Sequence, residues 1–289
     1  MKHRLKEFTF KFLELLPDKL GNLLYHKVQK FFDKMSSENR LKSAESTYLD
    51  TSKICQQLNI AIEEKTILDF GSGWLPMMPY FFLYQLKAKK VLTYDINRHF
   101  QKTSILKLNA AFSKLYGYTV IVDSKNKYGL PAGIDYVPLC DLTKAAIPKV
   151  DVIFSRYVLS HMTKNDVIEL HRKIKNELPA NTYLIHYISP SDLRQYVNKD
   201  ISMQDFLQYS EEEWNKIQTK FSSHNRMRLP QFLEIFKSLD FEVVYLTYKS
   251  AEVGSKQYEM FKEIKLHSDF AKYTDEELTA GNIVIVLKT

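Results

Sequence analysis

Thr66-Ile67-Leu68-Asp69-Phe70-Gly71-Ser72-Gly73 joins a short apolar run to an acid and then to a turn with glycines two residues apart. A buried strand that must release its chain beside a bound ligand reads this way. Gly71 and Gly73 let the backbone take positive φ or lie against a ligand where a Cβ would block it. Asp69 sits where the strand meets the turn, placed to orient that loop or face a cationic ligand. A second acid, Asp95, closes the next apolar run, Val91-Leu92-Thr93-Tyr94. Strand, glycine turn, helix, strand, acid is the plan of a nucleoside-binding half of a doubly wound sheet.

Two cofactor classes use that plan. A dinucleotide fingerprint needs a third glycine for close helix–strand packing, and here Pro76 occupies its place. That disfavours a nicotinamide-dependent oxidoreductase. The Asp-x-Gly-x-Gly pattern instead resembles the first motif of class I S-adenosylmethionine-dependent methyltransferases. A tight turn without a ligand is the plain alternative for the two glycines.

The following segments fall in an order that suits the same fold. Ile134–Leu139, running on to Cys140-Asp141-Leu142, reads as a third strand closed by an acid. Asp151–Arg156 reads as a fourth and Thr182–Ile188 as a fifth, after the turn Leu178-Pro179-Ala180-Asn181. Phe241–Thr247 and Asn282–Lys288, rich in β-branched and aromatic residues, supply two more. Seven strands, the first five separated by helix-length segments, predict an α/β protein with a doubly wound, mostly parallel, Rossmann-like sheet. Helix starts are expected at Thr163 with Asp166, at Ser210 with Glu213, and at Pro230. Each is followed by apolar residues at helical spacing, a pattern that core packing explains without a ligand.

The chain has 289 residues, 45% of them hydrophobic, which fits one sizeable domain with additions. Cys55 and Cys140 form neither a C-x-x-C pair nor a zinc pattern and suit a reducing cytosol, so a cytoplasmic location is expected. No apolar run nears the roughly 18 residues that cross a bilayer. The net charge of +7 is uneven: residues 1–42 carry ten Lys or Arg against five acids. The same segment places Leu20, Leu23, Leu24, Val28, Phe31, Phe32 and Met35 at helical spacing. It reads as an N-terminal helical cap over residues 1–60, ahead of a catalytic domain at 61–289. The rival reading is a basic amphipathic helix in peripheral contact with an anionic membrane. Nucleic acid is disfavoured, because no Lys/Arg cluster is interleaved with stacking aromatics.

Beyond the glycine loop, three runs carry the resemblance further: Gly71-Ser72-Gly73-Trp74-Leu75-Pro76, Tyr94-Asp95-Ile96-Asn97-Arg98-His99 and Phe154-Ser155-Arg156-Tyr157-Val158-Leu159-Ser160-His161. With Asn225-Arg226-Met227-Arg228-Leu229, they are similar to a group of bacterial class I methyltransferases. Some of that group resemble enzymes of surface-polysaccharide or small-molecule pathways. The resemblance implies S-adenosylmethionine as cofactor and a last strand inserted antiparallel. It implies that Asp69, Gly71 and Gly73 line the methionine and ribose side, and that Asp95 accepts from both ribose hydroxyls. Asp141 would accept from the adenine amino group with Leu142 against the ring, and Ser155 and Tyr157 would face the sulfonium and the acceptor. The helical insertion 189–240 would cover the acceptor pocket. Ser160 stands where the group often has an acid before His161, which puts an acid–histidine pairing there in doubt.

Methyl transfer asks little of side chains, because holding the reactants in line supplies much of the acceleration. A hydroxyl acceptor also needs a base, and histidine suits neutral pH. His161 is the candidate, with a structural histidine at a helix start as the equal alternative. For His186 a satisfied core position is favoured over a base. Asn225, Arg226 and Arg228 could bind a carboxylate or phosphate on the acceptor, or simply solvate a loop. No acid cluster suggests a catalytic metal. The expected activity is methylation of a small-molecule, glycan or lipid-linked acceptor. A non-catalytic member of the fold, binding cofactor or partner, is the rival from another class.

Overall fold

The computed structural model describes residues 9–17, 20, 21, 24, 25, 28 and 35–289, apart from 220 and 222. The strands are β1 (Thr66–Phe70), β2 (Lys90–Asp95), β3 (Ile134–Pro138), β4 (Val152–Arg156), β5 (Tyr183–Ile188), β6 (Glu242–Lys249) and β7 (Gly281–Lys288). They form one sheet in the order β3-β2-β1-β4-β5-β7-β6. The first five are mutually parallel, and β7 runs antiparallel between β5 and β6. The seven expected strands are all present, and the inserted last strand is antiparallel as the resemblance implied.

Alternation along each strand divides the core between two faces, because successive side chains point to opposite sides of a sheet. Ile67, Phe154, Ile185 and Val286 pack on one face beneath α1 (Ser37–Gln57), α2 (Met77–Tyr80) and α3 (Lys102–Tyr116). Leu68, Ile153, Leu184 and Ile285 pack on the other, beneath α4 (Lys164–Glu177). With both faces covered, the central strands carry nearly unbroken apolar runs.

The helix starts fall where the sequence places them. Thr163 caps α4 by accepting from the Asp166 N–H at 3.1 Å. Ser210 and Glu213 form a reciprocal capping box at α5 (Glu211–Ile217). Pro230 lies in the first turn of α6 (Leu229–Ser238), which buries Phe232, Ile235 and Phe236. The link between β6 and β7 was not anticipated as structured. It holds α7 (Lys256–Lys262) and α8 (Asp275–Thr279). Its Phe261, Phe270 and Leu278 join Phe206, Leu207 and Trp214 of the β5–β6 insertion in a satellite core.

Part of the expected N-terminal stripe (Leu23, Phe31, Phe32) lies outside the described residues. Of the rest of that segment, Phe10 and Leu13 are buried. Tyr25 stacks on Phe221 of the insertion at 4.7 Å between centroids and lies 6.3 Å from Trp74 of the glycine loop. Tyr25 therefore meets both the β5–β6 insertion and the glycine loop. Among the described residues no helix is long and apolar enough to cross a membrane.

The two loop glycines separate on what a side chain would meet. At Gly71 (φ +75°) an added Cβ would lie 2.3 Å from Val158 Cγ2, whereas at Gly73 (φ +64°) it would find nothing within 4 Å. Gly71→Ala should cost about 1–2 kcal/mol for the left-handed backbone and a further ~1–3 kcal/mol for overpacking. Gly73→Ala should show the backbone part alone. Denaturant unfolding of both variants, and of Gly71→Ala combined with Val158→Ala, checks this. The pair should be less destabilised than the sum of its singles.

Candidate active site

Parallel strands β1 to β5 bring their C-terminal ends to one edge of the sheet. The chain order reverses between β1 and β4, which opens a crevice there, the usual ligand site of such sheets. The glycine loop leaves β1 at this point. Its Gly71 N–H donates to the Tyr94 carbonyl at 2.8 Å, tying the loop to β2.

Asp69, at the end of β1, is 3% exposed and accepts from Ser72 Oγ at 2.5 Å and Thr93 Oγ1 at 3.2 Å. The Ser72 and Thr93 hydroxyls also meet each other. Burial pushes the Asp69 carboxyl up to about 6 against the lowering effect of those hydroxyls, and the charge of Asp95 adds to the rise. Asp69 is thus an internal brace of the loop.

Asp95, at the end of β2, is the acid that meets the loop directly. Its Oδ2 accepts from the Gly73 N–H at 3.2 Å and its Oδ1 from the Asn97 N–H at 2.8 Å. Burial pushes it too up to about 6, opposed by these amide bonds. His99 Nε2 stands 3.7 Å from Oδ1, but burial holds that imidazole down at about 4, so it is neutral there and the contact is not an ion pair. The loop glycines and the second-strand acid therefore share one spot, as the sequence predicts.

Asp141 follows β3, past a left-handed Leu139 (φ +59°). Its carboxylate is bound to its own turn: Thr143 N–H at 3.0 Å, Thr143 Oγ1 at 2.6 Å and Lys144 Nζ at 2.8 Å. The Lys144 bond, then Thr143, holds it below the usual carboxylate range. Leu142 beside it is buried in the core beneath β1.

Past β4 the chain turns at Tyr157 (φ +63°), whose N–H donates to the Tyr187 carbonyl at 2.7 Å. Left-handed non-glycine residues recur at functional turns. Tyr157, Ser160, His161, Leu193, Tyr196 and His224 line a cleft of about 280 Å³ above the ends of β4 and β5. His161 is exposed, with Nδ1 2.7 Å from the Ser223 carbonyl. A carbonyl only accepts, so Nδ1 carries the proton and the basic nitrogen is Nε2. The carbonyl thus orients the ring with no acidic partner among the described residues; Ser160 donates to the Ser189 carbonyl at 2.8 Å. His224, which sequence reasoning passed over, packs edge-on 5.2 Å from His161. Burial, then the neighbouring His161, holds it down at about 3.

Four expected ligand contacts are corrected by where the side chains spend their bonds. Ser155 lies inside β4, fully buried, with Oγ 2.8 Å from His186 Nδ1, and does not face the crevice. It begins a chain in which His186 Nε2 meets His171 Nε2 at 3.3 Å and His171 Nδ1 meets the Val167 carbonyl at 2.7 Å. The carbonyl fixes every donor along it: His171 Nδ1–H, His186 Nε2–H, then the Ser155 hydroxyl. His186 is accordingly a core histidine, held neutral by burial. The Asn225 amide donates to the Leu159 and Met162 carbonyls at 2.6 and 2.7 Å, pinning the turn that carries His161. Arg226 donates to the Phe206 and Tyr209 carbonyls and to Glu211. Arg228, fully buried, donates to the Arg226, Leu278 and Pro190 carbonyls at 3.0, 3.3 and 2.7 Å. The terminal nitrogens of both arginines and the Asn225 amide are spent on the protein itself, and of their donors only the buried Arg226 Nε has no partner among the described residues. They staple the insertion to the end of β5 and to α8.

Among the described residues no group of three His, Cys, Asp or Glu side chains could hold a metal ion. No protein-family model matches the chain, and no curated protein matches it in sequence. Solved structures do match. A Galdieria sulphuraria protein provisionally described as a sarcosine dimethylglycine methyltransferase aligns over 86% of either chain, at 10% identity and a TM-score of 0.52. Magnesium protoporphyrin IX methyltransferase from Synechocystis PCC 6803, crystallised with SAH, aligns over 86% of this chain and 83% of its own, at 11% identity and a TM-score of 0.48. The likeness to the Galdieria protein establishes a shared fold, that of the class I methyltransferases.

The buried groups set two opposing pH dependences. His171, His186 and His224 have depressed folded values, about 4 for His171 and about 3 for His224, so the stability they contribute is complete above about 6.5 and lost as pH falls. Asp69 and Asp95 have raised values near 6, so their burial costs stability above that pH and the cost is relieved by acid. Asp95→Asn removes one acid-relieved group. Denaturant unfolding of the ligand-free variant should fall more steeply between pH 7 and 5 than that of the parent, by roughly 1 kcal/mol. A parallel decline would show that Asp95 is not buried as described.

Proposed function

We propose that the chain is an S-adenosylmethionine-dependent methyltransferase acting on a hydroxyl of a small-molecule, glycan or lipid-linked acceptor. The observation that carries this reading is the joint between Asp95 and the Gly73 N–H at the reversal of strand order. Each Asp95 oxygen has one lone pair taken by an amide, and a carboxylate offers about four acceptor sites. One site on each oxygen thus remains for a ribose hydroxyl. The open space at Gly73 is a cradle that any other side chain would enter. Asp141 and Leu142 would border the adenine, and Asp69 and Gly71 would hold the loop in shape.

When bound, the cofactor supplies a methyl group on a positively charged sulfur, open to in-line displacement. The cleft beside Tyr157 would take the acceptor, with His161 Nε2 removing the hydroxyl proton as the new bond forms. The Ser223 carbonyl keeps the ring in the tautomer that can do so. The domain limits belong to the same proposal: residues 1–60 as a cap and 189–240 as a cover. The support is Tyr25, which bridges Phe221 and Trp74. Burial of Phe10 and Leu13 favours this cap over contact with a membrane surface. The enzyme would work in the cytoplasm, consistent with its two unpaired cysteines.

Calorimetry with S-adenosylhomocysteine and with NAD tests the cofactor class; binding of NAD alone would sink the reading. Asp95→Ala should weaken S-adenosylhomocysteine by about 1.5–3 kcal/mol, the range for hydrogen bonds to a charged group. Unchanged affinity would remove Asp95 from the site. His161→Ala should slow transfer from labelled cofactor into a cell extract by roughly 10²–10⁴-fold while leaving S-adenosylhomocysteine affinity intact. If melting temperature falls along with rate, His161 is structural instead. Binding of S-adenosylhomocysteine without any transfer would favour a non-catalytic member of the fold.

A further inference from the structure

Arg156 ends β4 and lies directly across from Tyr187 of β5. The residue before it, Ser155, is in register with Phe70, the last residue of β1. The guanidinium therefore rises at the rim of the crevice, on the sheet face opposite the Ser155–His186 chain. It lies over the Tyr157 ring, 4.5 Å from the centroid. Its Nε is buried and has no hydrogen-bond partner, and among the described residues the group makes no hydrogen bond or ion pair.

The other arginines enclosed near this edge behave differently. Arg194 grips Asp192 and Asp205, Arg226 leaves its Nε unpaired but grips Glu211 and two carbonyls through its terminal nitrogens, and Arg228 gives its donors to carbonyls. A buried donor left unsatisfied is costly, and the left-handed Tyr157 beside it adds strain. Both occur at the start of the turn after β4, where Tyr157, Ser160 and His161 line the cleft together with Leu193, Tyr196 and His224. The planar fork of a guanidinium matches a carboxylate or phosphate in bidentate fashion, and the ring beneath holds that fork in one orientation.

We propose that Arg156 anchors an oxyanion, a carboxylate or phosphate, on the acceptor, so that the substrate is an acidic hydroxyl compound held by its charge at Arg156 and by its reacting hydroxyl at His161. The inference rests on the methyltransferase reading and narrows its substrate class. The same chemistry could come from the amino-acid carboxylate of the cofactor, and the test separates the two sources.

In the full chain, the Arg156 Nε–H resonance, assigned by its loss in R156Q, should shift saturably with inorganic phosphate or acetate. R156Q should bind S-adenosylhomocysteine and 5′-methylthioadenosine, which lacks the carboxylate, as the parent does. It should lower labelled-methyl transfer into a cell extract by about 10–100-fold, and the parent's labelled product should be retained on an anion-exchange resin. R156K, which keeps the charge but loses the fork, should recover part of the rate and guards against a folding defect in R156Q. The proposal is overturned if neither anion shifts the resonance, if the product is not anionic, or if R156Q weakens S-adenosylhomocysteine alone. That last result would assign Arg156 to the cofactor. A parent protein that binds no S-adenosylhomocysteine yet shows the anion shift would remove the methyltransferase reading and leave the oxyanion site standing.

Discussion

Two carboxylates buried at neighbouring strand ends are the constraint around which the crevice is built. Asp69 and Asp95 each lose hydration, and the charge of Asp95 adds to the cost of ionising Asp69. The fold offsets that cost with short-range donors: two hydroxyls at Asp69 and two backbone amides at Asp95. Two of those donors, Ser72 and Gly73, come from the glycine loop, with Thr93 of β2 and Asn97 of the turn after it supplying the others, so satisfying the acids also sets the loop's path. The path in turn requires positive φ at Gly71 and Gly73. A loop with side chains at both positions would break the packing on Val158 and close the space at Gly73.

Beyond this joint, the sheet divides its chemistry by face. On one side of β4 and β5, Ser155, His186 and His171 form a dry, neutral polar line whose protons are fixed by the Val167 carbonyl. Such a line can hold two strand ends in register at neutral pH without bringing charge into the core. On the other side, Arg156 and Tyr187 stand together, and Tyr187 reaches Thr51 of α1 through its hydroxyl at 2.9 Å. The single-residue alternation of a strand thus turns neighbouring polar residues to opposite faces: Ser155 joins the histidine line and Arg156 the face of Tyr187.

Much of this was legible in the sequence, because strands and helix caps are written in local patterns. The apolar runs ending in Asp69, Asp95 and Arg156, and the cap residues Thr163 and Ser210, depend on near neighbours only. The roles of Arg226 and Arg228 do not. In sequence they read as donors for a ligand, yet the chain after β5 leaves carbonyls at Pro190 and Phe206, and α8 leaves one at Leu278, that take donors from far along the chain. The sequence places the strand holding Ser155 correctly, but which of its faces turns to the crevice depends on the packing of both sheet faces, and Ser155 turns to His186. His171 sits at helical spacing from Val167 on the buried stripe of α4, so a core role could have been inferred from its period. Nothing local announces the contact of Tyr25 with Trp74 and Phe221, which joins three distant segments.

One criterion sorts the residues of this crevice better than residue type does: whether the protein itself uses what the residue offers. Gly71 and Gly73 share a conformation, but the space over Gly71 is filled by Val158 and that over Gly73 is open. Arg228 is fully buried and gives its donors to three carbonyls, whereas the half-buried Arg156 gives none among the described residues, although its Nε is enclosed. His186 and His161 both carry a basic nitrogen, but that of His186 is occupied by Ser155, while His161 meets a carbonyl only through Nδ1 and stands at a cleft. Folding alone accounts for the first member of each pair. The second members, Gly73, Arg156 and His161, lie at the ends of β1 and β4, on either side of the reversal in strand order. What the protein leaves unused is therefore found at the two strand ends that flank the reversal, and what it uses is spent on its own packing and hydrogen bonds.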